Sequence, residues 1–105
     1  MTITNLLVTC QKFKTKKVFF TTSIHLNEEE KKTIDHIMGQ MRKQGIETVF
    51  EDNVTRNAKA LVQMSEIGEV VLLEKIRQTE YQELEKELKL CQEQDANLLG
   101  IIVIH

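Results

Sequence analysis

Leu98-Leu99-Gly100-Ile101-Ile102-Val103-Ile104 carries no polar side chain on either face. A strand open to water on one side alternates apolar with polar residues, whereas a strand of a parallel sheet is covered on both faces and reads as an unbroken apolar run. Val70-Val71-Leu72-Leu73 repeats that pattern upstream, and Val18-Phe19-Phe20-Thr21-Thr22 begins it. Thr48-Val49-Phe50 is a shorter run of the same kind.

The intervals between these runs have helical periodicity. Ahead of the last strand, Thr79 and Gln82 offer a capping box, and Tyr81, Leu84, Leu88 and Cys91 recur at three and four, predicting a helix to about residue 94. Ala58, Leu61, Val62 and Ser65 make the small-to-medium face of another, which closes near Gly68. Asn27 caps a third: Glu30 can reach back to complete the box, Ile34, Ile37, Met38 and Met41 supply the apolar stripe, and Gly45 ends it. Ile3, Leu6, Leu7, Cys10 and Phe13 share one helical face, so residues 1–14 read as an N-terminal amphipathic helix ending in a basic turn.

Four strands alternating with helices predict an α/β fold. It is a doubly wound three-layer sandwich with a four-stranded, mostly parallel sheet, and right-handed crossovers put helices on both sides. The expected strand order is 2-1-3-4. The 105 residues make a single domain, 1–105, with enough chain for one core. The sequence has no proline and only four glycines, which argues against a linker or a turn-rich all-β fold.

With 14 Lys+Arg against 16 Asp+Glu, the net charge of -2 gives no reason to expect a nucleic-acid partner. Lys12, Lys14, Lys16 and Lys17 make the beginning basic and Glu80, Glu83, Glu85, Glu87, Glu93 and Asp95 make the end acidic, each read as a solvated face. Cys10 and Cys91 lie in apolar patterns without metal-ligand spacing, so they read as buried, reduced thiols. No apolar run approaches the ~18 residues of a membrane span, which predicts no membrane insertion and a cytoplasmic location.

In α/β folds anions sit at helix N-termini beyond the strand ends. The first such turn reads Thr22-Ser23-Ile24-His25-Leu26-Asn27-Glu28-Glu29-Glu30-Lys31-Lys32-Thr33. With Lys17-Val18 before it, and Gly45, Asp52 and Arg56 after it, the segment resembles the opening of the bacterial tyrosine kinases of capsule and exopolysaccharide assembly, relatives of the partition-type P-loop ATPases. Thr22-Ser23 falls on the strand exit, Glu28 on the acidic residue of the loop, and Asp52 and Arg56 on the first Asp and the Arg of the second motif. Asn57-Ala58, Val70 to Leu73, Thr79 and Asp95-Ala96-Asn97-Leu98-Leu99-Gly100 match later motifs, and Thr4-Asn5-Leu6-Leu7 is similar to the helix preceding that catalytic domain.

The departures decide what the resemblance implies. A phosphate cradle needs glycines, a lysine and a Ser/Thr. Here Asn27 and Glu29 replace the glycines, Glu30 stands at the lysine and Lys31 at the Ser/Thr, and Val54 replaces the second Asp of the Asp-x-Asp motif. Three glutamates in the first turn repel a triphosphate. No room is left between Asp52 and Asn57 for another motif strand, and the tyrosine-rich tail is missing. The resemblance implies a shortened relative without catalytic residues or cofactor, retaining Ser23, Asn27, Lys31, Lys32, Asp52 and Arg56 as a remnant phosphate-loop region. The expected function is a non-enzymatic regulatory or assembly protein of polysaccharide biosynthesis, bound to a protein partner and able to self-associate. The alternatives are a nucleotide- or anion-responsive domain using Lys31, Lys32 and Arg56, and an unrelated α/β interaction module. His25, His36 and His105 show no nucleophile or ligand pairing, and Asp52 lacks the acidic pair of a receiver-type phosphoacceptor.

Overall fold

The computed structural model describes residues 1–75 and 81–104; Thr79, expected to begin a capping box, and His105 lie outside the described residues. The elements in chain order are α1 (Ile3–Phe13), β1 (Lys17–Thr21), α2 (Glu28–Lys43), β2 (Glu47–Phe50), α3 (Ala58–Ile67), β3 (Glu69–Glu74), α4 (Tyr81–Glu93) and β4 (Asn97–Val103). The sheet has the order β2-β1-β3-β4, as expected, and its three pairings are all parallel. The expected, mostly parallel sheet is thus parallel throughout.

Alternation along β1 divides the core between two faces. Val18 and Phe20 point to one side, where they join Leu6 and Cys10 of α1 and Ile34, Ile37, Met38 and Met41 of α2. Phe19 points to the other, against Ala60 and Met64 of α3 and Cys91 of α4. Each strand thus needs apolar residues at consecutive positions, which is why the runs are unbroken. Both cysteines are free and buried.

The helix ends follow local chemistry. Asn27 and Glu30 form the expected capping box, and Gly45 takes a φ of 80° just beyond the last turn of α2. Asn57, not anticipated as a cap, accepts from the Ala60 amide at 3.3 Å to start α3. Gly68 ends that helix with a φ of 76°, where its N–H reaches the Met64 carbonyl at 2.9 Å.

Two helical faces, those of α3 and α4, are rotated from their sequence-based assignment, and the last residue of the α1 stripe falls outside it. α3 buries Ala60 and Met64, with Leu61 and Ile67 packed beside them, while Ala58, Val62 and Ser65 are exposed. α4 buries Glu87 and Cys91 with Leu84 alongside, leaving Tyr81 and Leu88 outside, and Phe13 of α1 also faces solvent. Hydropathy fixes that a helix is amphipathic, but where the sheet lies beneath it fixes which flank of the stripe is covered. β4 is an edge strand, and its apolar run is only partly covered.

Candidate functional site

β1 and β3 are sheet neighbours whose connections leave in opposite directions, toward β2 and toward β4. The crevice above their carboxyl ends is where open α/β sheets bind ligands. Ser23 enters it just after β1, and Glu74 is the last residue of β3. The Ser23 amide donates to Glu74 Oε1 at 3.2 Å and its hydroxyl to Oε2 at 2.7 Å, so one serine holds both oxygens of the carboxylate.

Glu87 reaches the same place from α4 and is completely buried. Burial chiefly, then the hydrogen bond and charge of Glu74 and the charge of Glu83, push its carboxyl up to about 10. Buried beside Glu74, the Glu87 carboxyl therefore stays protonated at neutral pH. One turn earlier on α4, Glu83 is held below the usual carboxylate range by Lys86 at 3.1 Å, with support from Thr55 at 3.2 Å and the Arg56 charge. The acids therefore grade from a neutral buried member to an ionised outer one.

The N-terminus of α2 opens beside this crevice, and the chain fills it with its own groups. The Asn27 amide donates to Glu30 Oε1 at 2.9 Å, and the Glu30 amide donates to Asn27 Oδ1 at 2.8 Å. Lys75, following β3, forms an ion pair with Glu30. The Asn27 backbone foremost, then Lys75, lower the Glu30 carboxyl from its usual range. Glu28 and Glu29 add exposed carboxylates to the same turn.

The residues expected to form a remnant phosphate loop are distributed over several roles. Ser23 belongs to the crevice and Asn27 caps α2. Lys31 is exposed and lies 3.7 Å from Glu28, and Lys32 is exposed. Arg56 lies 3.8 Å from Glu83 and is largely in solvent. Asp52 is exposed, and it is its carbonyl that accepts from Asn57 Nδ2 at 3.0 Å. Val54, at the position of the second motif carboxylate, is 2% exposed and packs in the core with Phe19, Ala60 and Met64. His25 and His36 are exposed.

Sequence reasoning missed the Glu74–Glu87 pair. Two signals mark it: Glu74 directly follows an unbroken apolar strand, and Glu87 lies between Leu84 and Cys91 on one helical face. Ser23 ties the end of β1 to the end of β3 through Glu74, and Glu87 of α4 keeps its proton beside them. Among the described residues no group of three or more His, Cys, Asp or Glu could hold a metal ion, and no helix is long and apolar enough to cross a membrane. No family model, curated protein or solved structure matches this chain, so the crevice is read from its own residues.

Proposed function

We propose that the chain is a non-catalytic regulatory or assembly module that works by binding other protein molecules, its place in polysaccharide biosynthesis resting on the resemblance to the capsule kinases. The observation carrying the non-catalytic part is the N-terminus of α2. Two of its free amides are engaged by Asn27 and Glu30, and the turn that would meet a phosphate presents Glu28, Glu29 and Glu30. A helix N-terminus attracts anions through unpaired N–H groups and its dipole, and carboxylates placed there consume both. The Lys31 and Arg56 side chains are paired with Glu28 and Glu83.

The test is calorimetric titration of ATP and ADP with Mg²⁺, with thermal unfolding in parallel. The expected result is no heat and no rise in Tm at millimolar nucleotide. Saturable binding with stabilisation, lost in Lys31→Ala, would instead establish the nucleotide-responsive reading.

A further inference from the structure

We propose that the turns leaving α1 and α2 form a basic surface that docks this chain onto an anionic lipid bilayer. Along the sequence, Lys12, Lys14, Lys16 and Lys17 make one charged stretch and Arg42 and Lys43 another. The fold puts them side by side. α1 exits into β1 and α2 into β2, which are neighbouring strands, so both turns lie at the amino end of the sheet. Gln11 and Thr15 on the α1 side and Gln44 on the α2 side line one cavity of about 100 Å³, and the Glu47 amide donates to the Lys16 carbonyl at 2.8 Å. All six cations are exposed.

The helix dipole favours cations in the last turn of each helix, which accounts for Lys12, Arg42 and Lys43. Lys16 and Lys17 lie past α1 and add charge that neither helix calls for. Two acids stand among the six: Glu47, 3.8 Å from Lys17, and Glu69, half-buried in the cavity beside Phe13. In a chain of net charge -2, six of the 14 Lys+Arg and two of the 16 Asp+Glu therefore meet at one corner. That local excess of positive charge is complementary to an anionic partner.

The shape of the corner selects a broad surface over a small anion. None of the six cations lines the cavity between the turns or the larger one that Phe13 forms with Thr9, Leu98 and Leu99. They stand outward instead, and Phe13, 63% exposed, stands among them. A polybasic patch with an exposed aromatic ring suits anionic lipid: the cations meet the headgroups and the ring enters the acyl boundary. A nucleic acid would use Phe13 differently, by stacking a base on the ring. Lys12 already stands over that ring, with Nζ 5.7 Å from its centroid. Docking here also orients the molecule. α2 runs 16 residues, about 24 Å, to the turn that carries Glu28, Glu29 and Glu30, so its acidic end and the crevice at Glu74 point away from the lipid.

The test is flotation of the full chain with vesicles of phosphatidylcholine alone, or with about a third phosphatidylglycerol, at low and high salt. The expected result is flotation with the anionic vesicles only, weakened by salt. Lys16→Gln and Lys43→Gln, one from each turn, should each lower partitioning about fivefold and together about 25-fold. Phe13→Ser should lower it with no change in charge. All three positions are exposed, so the fold is left intact. A chain that does not float with anionic vesicles at low salt, or that floats indifferently to both lysine changes, overturns the assignment. So does an oligonucleotide that displaces the chain from the vesicles and binds it more tightly with the same dependence on Lys16 and Lys43.

Discussion

At the scale of single residues, Glu87 is the side chain whose chemistry departs furthest from its type. Its carboxyl is raised from an ordinary 4.5 to about 10, so the folded protein keeps a proton that the unfolded chain sheds. Stability contributed through this group is therefore fully present below the ordinary value and falls as pH rises across that window, by up to about 1.4 kcal/mol per unit. The wild-type Tm is expected to be higher at pH 6 than at pH 8, and Glu87→Gln, neutral at both, should flatten the difference. Equal slopes in thermal melts of the two proteins would show that the proton is held elsewhere. Glu30 and Glu83 shift the other way, so their contributions are lost only in acid, as pH falls through their lowered values.

At the scale of elements, the α2 entry has a cost that can be measured. Asn27→Ala removes the acceptor of the Glu30 amide and should lower stability by about 1 kcal/mol in urea denaturation, with no gain in phosphate binding. That box was legible in sequence, because capping depends on residues three apart and on little else. The strands were legible for the same reason: Val70 to Leu73 are apolar at every position because both faces are covered. The Glu74–Glu87 pair was not legible, because a glutamate on a helix reads as solvated until the sheet's position rotates it inward. Val54 illustrates the converse. A position assigned to a lost metal-organising carboxylate proves to be core, since the turn after β2 folds back over Phe19.

At the scale of the whole molecule, two apolar clusters lie on opposite faces of one sheet, and each holds a cysteine, Cys10 on one and Cys91 on the other. Burial raises both thiols, Cys91 to about 11, so neither should react with a thiol reagent at neutral pH. Because β1 and β3 serve both clusters, the two thiols are expected to become reactive over the same urea range, in one cooperative transition; separate midpoints would mean that the faces unfold independently. The order β2-β1-β3-β4 also has a consequence for the chain as it is made. Phe19 finds its β3 neighbour Val70 about fifty residues later, and at ~5–20 residues per second β1 waits roughly 3 to 10 s for it. Throughout that interval Val18-Phe19-Phe20 has emerged without its central partner, an apolar run open to aggregation until β3 follows.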